Sequence, residues 1–429
     1  MPRAEVLCGI RARRFRRAFA AYLIGCALRK RTYPLFRFGG RDGFRRTVRD
    51  LRKLGLCKPV RFDGRVFFGL SMPHWPSAAF DRAVAGGALN LAAAGTSRKR
   101  YIDSAILAVT RRCSYGCLHC YERLNIGAED VVPVEKWQEA IAGLQGLGIG
   151  VITLSGGEPL ERFDDVLALL RSADDSKSDF HLHTSGFGLT PERVRALRAA
   201  GLVAAGVGLD DGSPARHDAL RGKAGAFETA LQAIRFFQDA NIFAYVNVCL
   251  TKELSAPGEL DRFYERLKKE GVGLIRLLEP KPCGGYLDED PDRLFDADDR
   301  ARCAAFYERT ARDPVYRDYP SVFYESYLEA PERMGCRLAG HSLFYIDSLG
   351  YVEPCVFLPV SFGNIVREDV AAVFERMRRA APEPFRGGCP AVLLAPEIRA
   401  RSGRGLQVPV PYEDIRPSWE NMWANGGRA

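Results

Sequence analysis

The sequence predicts an α/β fold in which a parallel sheet closes or curls into a barrel. Three observations predict it. Apolar strand-like runs alternate with amphipathic helical stretches from about 104 to 279, and the alternation repeats six times. Residues with reactive side chains gather where strand runs end, which is where such sheets carry function. In order, strands are expected at 104–110, 151–155, 179–184, 202–210, 242–250 and 273–279. Helices are expected between them at 134–147, 160–173, 191–200, 225–239 and 257–270. A doubly wound sheet is the alternative, but the Gly-x-Gly-x-x-Gly turn usual after its first strand is replaced here by a cysteine loop.

That loop, CSYGCLHCYE, places Cys113, Cys117 and Cys120 in the spacing CxxxCxxC directly after the run Ser104 to Thr110. A [4Fe-4S] cubane takes one thiolate per iron, so three cysteines leave one iron open for chemistry. Zinc is the competitor, yet structural zinc usually takes four ligands in two pairs and no second pair lies nearby. About 35 residues on, Ser155-Gly156-Gly157-Glu158-Pro159 ends a second apolar run and opens a helix-like stretch. Its glycines let backbone approach a ligand, and Glu158 can meet a cation. Gly206 to Gly212, followed by His217-Asp218 and Arg221-Gly222-Lys223, forms the third motif. Its Asp210 is either a ligand contact or a solvated carboxylate at a strand-ending turn.

Together these residues resemble the radical S-adenosylmethionine (AdoMet) superfamily, across roughly the middle half of the chain. The resemblance implies a partial (β/α)6 TIM-like barrel. It implies a [4Fe-4S] cluster on Cys113, Cys117 and Cys120, and AdoMet chelated by the open iron. By the same resemblance Gly156, Gly157 and Glu158 hold the methionyl amino group and Asp210 lies near the ribose. His119, Ser185 and Asn247 are further cofactor-contact candidates.

Strand parity separates barrel-facing from helix-facing side chains. Phe180 and Leu182 should pack outward, which turns His181 and His183 inward. Val246 and Val248 likewise leave Tyr245, Asn247 and Cys249 facing in. With Glu279 at the end of the sixth strand, His181, His183 and Tyr245 are the pocket candidates; a buried, hydrogen-bonded structural role is the alternative for each.

Further on, Cys336, Gly350 and Cys355 resemble the twitch or SPASM region that carries an auxiliary cluster in many radical AdoMet enzymes. FYID-SLG-YVEP reads as a hairpin that brings its closing cysteine near the one before it. Cys389 is a third candidate ligand. A full SPASM region has about seven cysteines, whereas three follow residue 320 here, so one auxiliary cluster at most fits. Its fourth ligand could be Cys283, Cys303, a non-cysteine residue or substrate. Small buried thiols are the alternative for Cys355 and Cys389.

The other cysteines are isolated, as in a reducing cytosol. Net charge is +9, yet residues 1–60 hold 17 Lys and Arg against three Asp and Glu, leaving the rest at −5. The apolar stretch Ala18 to Leu28 spans 11 residues, too few for a bilayer. This front end is expected to lie on an anionic membrane surface or to be a solvated helix face packed on the barrel. Leu23-Ile24-Gly25-Cys26 resembles a lipoprotein cleavage box, but Arg29-Lys30-Arg31 opposes translocation. No nucleic-acid module accompanies the charge. A helix at 44–56 and a hairpin turning at Asp63-Gly64 follow, as a peptide-clasping module or a cap over the barrel mouth. The expected units are an α-helical and hairpin extension (1–100), the core barrel (101–318), an α+β twitch-like region (319–392) and a tail (393–429).

The expected activity is reductive cleavage of AdoMet to a 5′-deoxyadenosyl radical that abstracts hydrogen from a substrate, lipid-linked or small rather than peptide. The reductant would be a carrier such as flavodoxin or ferredoxin. The location would be cytoplasmic, peripheral at the inner membrane face. A non-catalytic iron-sulfur or zinc protein serving electron transfer or assembly is the alternative.

Overall fold

The computed structural model describes residues 4–8, 11–15, 17–19, 21–22, 58–86, 102–288, 293–402 and 409–426. The helix expected at 44–56 and most of the basic front end lie outside the described residues.

Short strands β1 (Glu5–Val6), β2 (Val60–Phe62) and β3 (Arg65–Phe67) form an antiparallel sheet in the order β1-β2-β3. The β2–β3 turn is the expected Asp63-Gly64 pair, both at positive φ (48° and 74°), the twist a two-residue hairpin needs.

The six expected barrel strands follow as β4 (Ile102–Ala108), β5 (Ile149–Ser155), β6 (Asp179–Thr184), β7 (Leu202–Gly208), β8 (Phe243–Cys249) and β9 (Leu274–Leu278). They pair in sequence order, all parallel. Helices Val134–Leu147, Phe163–Ser172, Pro191–Ala199, Ala226–Asp239 and Glu259–Lys269 lie within a few residues of the expected bounds. The stretch carrying His217 and Arg221, expected as a loop, is the helix Pro214–Arg221. Proline at its first position and Gly222 at left-handed φ beyond its last explain the short, sharply ended turn.

The sheet is wider than six strands. β10 (Ser321–Tyr324) adds parallel beside β9, and β11 (Leu343–Ile346) adds parallel beside β4. β12 (Val352–Glu353) pairs antiparallel with β11, giving the expected hairpin. The strand order is β10-β9-β8-β7-β6-β5-β4-β11-β12, so β10 and β12 are edges and the sheet is curled but open. A last parallel pair joins β13 (Val360–Ser361) to β14 (Val410–Pro411). The tail wraps back: Trp419 is fully buried, and its Nε1 donates to Ala380 O at 2.8 Å.

Parity holds along the strands. Phe180, Leu182, Val246 and Val248 join the large core beneath the helices. The opposite face is the barrel interior, and its floor is closed by the N-terminal hairpin. Val60, Phe62 and Phe67 pack with Ala204, Phe243, Tyr245 and Leu274, and Phe67 stacks on Phe243 with ring centres 4.1 Å apart. Phe243 and Leu274 open their strands, so the hairpin sits at the end opposite the barrel mouth and does not cap it. His74 fastens it there, with its backbone N and its Nδ1 2.7 and 2.8 Å from Asp179 Oδ2. In the basic segment, Phe15 and Phe19 pack on Phe68 and Trp75 while Arg11, Arg13, Arg14 and Arg17 stay exposed.

Replacing Phe67 with Ala removes the stacked aromatic that fills this floor. It should cost about 3–5 kcal/mol in urea unfolding and speed amide exchange over 60–67.

Candidate functional site

One cavity of about 480 Å³ opens where the parallel strands end and runs down the barrel to Leu70 and Ser71 of the floor segment. It brings together Cys113, Cys117, His119, Cys120, Gly156, Gly157, Glu158, Ser185, Asp210 and Asn247. The CxxxCxxC loop hangs from β4 and is tied down on all sides. Leu118 N donates to Leu220 O (3.0 Å), Ser114 N to Glu161 Oε1 (2.7 Å) and Gly285 N to Cys120 O (2.8 Å). Burial pushes the Cys113 thiol up to about 12 and raises Cys117 and Cys120 as well. Such thiols ionise when a metal cation meets them. Among the described residues no three His, Cys, Asp or Glu side chains converge as a single ion requires. A cubane instead spreads its thiolates over separate irons.

The second motif forms a backbone cradle. A Cβ on Gly156 (φ 137°) would stand 2.6 Å from Thr110 O, and one on Gly157 would stand 2.2 Å from Arg112 O. Glycine is therefore required for this turn to lie against the cysteine loop. Glu158 is buried, and burial raises its carboxyl above the usual range. Its Oε1 accepts from Thr184 Oγ1 (2.6 Å) and Leu160 N (3.1 Å), and its Oε2 from Ser185 N (2.7 Å) and Oγ (2.5 Å). Glu158 thus ties the motif to the end of β6, and Ser185 is its partner.

Asp210 is 1% exposed and faces Arg221, whose Nε donates to Oδ2 at 2.6 Å. Its Oδ1 accepts from Cys249 N at 2.8 Å, and His119 Nε2 stands 3.6 Å from Oδ2. Burial works against the charge, but Arg221, then His119 and His217, hold the carboxyl below its usual range. A Cβ on Gly208 would meet Arg221 Nη2 at 2.2 Å, so that glycine admits the guanidinium. Two buried polar atoms here lack partners, His119 Nδ1 and Asn247 Oδ1. With the cradle and the three thiols, these orphaned groups fit a cluster and a polar cofactor.

The pocket candidates separate. His183 and Tyr245 line the cavity, with Tyr245 Oη 2.9 Å from His183 Nε2. His181 lies deeper, 1% exposed with both ring nitrogens unpartnered, its ring 5.9 Å from that of Tyr245. Glu279 lines the cavity and is fully engaged by Tyr324 Oη (2.5 Å), Lys281 Nζ (2.9 Å) and Arg300 Nε (3.3 Å). Sequence reasoning missed Arg276, whose guanidinium reaches Glu325 at 2.5 Å in the same cavity, and the bond from Arg221 to Asp210. Inward parity on β9 was the available signal for Arg276.

Cys336, Cys355 and Cys389 line the same cavity, and Cys283 joins them. Cys303 is fully buried among helix-facing apolar side chains and stands apart from this group.

The radical SAM superfamily model matches residues 107–255, which carry all three motifs. The chain therefore carries a radical SAM superfamily domain. It is 28% identical over 307 residues to the AdoMet-dependent heme synthase of Methanosarcina barkeri, covering 66% of this chain and 85% of that protein. It is 28% identical over 237 residues to the PqqA peptide cyclase of Rhizobium meliloti, covering 53% and 61%. The fold is similar to that of Streptococcus suis SuiB bound to precursor peptide SuiA, with a TM-score of 0.55 and 16% identity over 69% of this chain and 73% of that one. A radical SAM domain implies a [4Fe-4S] cluster and AdoMet, together with a reductant and a substrate.

Asp210→Asn would leave the buried Arg221 without its counter-charge and should destabilise the chain by about 3–5 kcal/mol in urea unfolding. Burial pushes His119, His181 and His217 down to about 4. Unfolding lets them take up protons below their ordinary 6.5, so stability is fully present above that pH and is lost as pH falls toward 4. His181→Leu should flatten this slope by up to about 1.4 kcal/mol per pH unit, read from unfolding curves of the cluster-free chain.

Proposed function

We propose that the chain cleaves AdoMet reductively at a cluster held by Cys113, Cys117 and Cys120, and that Cys283, Cys336, Cys355 and Cys389 hold a second cluster facing the same cavity. The observation that carries this reading is the meeting of both thiol sets in one cavity, with the glycine cradle and Asp210–Arg221 on one side and Tyr245–His183 and Arg276–Glu325 deeper in. When bound, the cluster and AdoMet supply a one-electron reduction that yields a 5′-deoxyadenosyl radical.

The chain's own residues do the rest. Gly156 and Gly157 bring the backbone close to the methionyl end, with the Gly157 amide spent on Thr110 O, and Glu158 fixes the end of β6 beside them. Asp210, anchored by Arg221, presents a fixed carboxylate for a ribose hydroxyl. His119 and Asn247 offer unpaired polar atoms to the same ligand. Tyr245, His183 and the Arg276–Glu325 pair line the substrate side. The closed floor excludes water from beneath, which holds the substrate carbon near the reactive position and suppresses quenching.

A lipid-linked or other small-molecule substrate, with the basic front end on an anionic membrane surface, draws its support from the exposed Arg11, Arg13, Arg14 and Arg17. No helix among the described residues is long and apolar enough to cross a membrane. A small electron carrier such as flavodoxin or ferredoxin would supply the reductant.

Anaerobically reconstituted protein should hold about eight irons per chain, falling to about four in Cys355→Ala. With AdoMet and dithionite it should form 5′-deoxyadenosine, and Cys113→Ala should abolish that product. Cluster-loaded protein that forms none would leave the non-catalytic reading standing.

A further inference from the structure

The third cysteine of the CxxxCxxC loop is held by a segment beyond residues 107–255, the span of the superfamily match. Cys283-Gly284-Gly285-Tyr286 follows β9 and folds into a single tight turn, with Tyr286 N donating to Cys283 O at 2.9 Å. The turn lies directly on the loop. Gly285 N donates to Cys120 O at 2.8 Å. A Cβ on Gly285 would stand 2.0 Å from Leu118 O, and one on Gly284 would stand 2.2 Å from Cys120 O and 2.6 Å from Tyr121 Cα. Each of these obstacles is backbone, so no rotamer change relieves them. Cys283 itself is buried and faces the main cavity, as Cys120 does.

We propose that Gly284 and Gly285 are positioning residues of the radical SAM cluster. Their backbone clamps the Cys120 end of the loop, and the Gly285 N–H to Cys120 O bond links the loop mechanically to Cys283. The inference rests on the reading that Cys113, Cys117 and Cys120 hold a cluster; it does not need the second one. The carbonyl of a ligating cysteine that accepts a backbone hydrogen bond has its peptide plane fixed. That fixes the direction from which its sulfur reaches iron, and such supporting contacts govern metal affinity strongly.

Gly285→Ala and Cys283→Ala should behave oppositely in reconstituted, full-length protein. Gly285→Ala keeps every thiol, yet should lower the AdoMet-induced change in the cluster EPR spectrum by about tenfold or more while the auxiliary signal persists. Cys283→Ala keeps both glycines and the hydrogen bond, and should retain that AdoMet-induced change. A Gly285→Ala protein with a wild-type AdoMet response would overturn the proposal.

A second measurement covers the case in which Gly285→Ala fails to fold. In the Cys336→Ala, Cys355→Ala, Cys389→Ala protein, loading the remaining site with iron should slow amide exchange over 283–287. Unchanged exchange there would also overturn the clamp. If Cys283→Ala and the triple variant lose no iron relative to wild type, the auxiliary-cluster reading fails, and the Gly285 result still decides the clamp.

Discussion

Three half-buried thiols in one loop do not ionise unaided. Burial drives Cys113 up to about 12, and Cys117 and Cys120 rise with it, so the loop becomes a set of thiolates when iron supplies the compensating charge. The rest of the site is arranged around that requirement. Arg221, the cation that acts on Cys117, is paired with Asp210 and cannot neutralise three sulfurs. The loop is therefore shaped by backbone contacts from Gly157, Leu220 and Gly285, and its charge balance would be left to the proposed cluster.

The fold answers the second requirement, a dry chamber below the cluster. A parallel sheet sends its interior side chains toward one mouth, and here the other end is closed by residues from the N-terminal hairpin. Phe67 on Phe243 and His74 on Asp179 make that closure, and Leu70 and Ser71 form the chamber's far wall. Segments before and after the matched core thus complete a site that the core strands only begin.

Much of this was legible in the sequence where the signal is local. Helix Val134–Leu147 and strand Asp179–Thr184 have the expected bounds, because period and apolar runs are properties of neighbouring residues. The Asp63-Gly64 turn was legible because its two residues accept left-handed φ cheaply. Strands β10 and β11 were not, since four-residue segments acquire a sheet position only from distant partners. Of the candidate site, the motifs announced themselves by spacing. The Arg221–Asp210 and Arg276–Glu325 bonds, the place of the hairpin at the barrel floor, and the position of Cys283 in the cavity with Cys303 outside it depend on contacts between residues far apart in the chain.

The central claim is one open iron at a three-thiolate cluster, close enough to AdoMet to bind it through the methionyl amino group. Electron-nuclear double resonance on the reduced, reconstituted protein with AdoMet carrying ¹⁵N at that amino group addresses it directly. A resolved ¹⁵N hyperfine coupling to the cluster, absent in Cys117→Ala, is the predicted result. A cluster spectrum indifferent to the label, with AdoMet bound, would contradict the account.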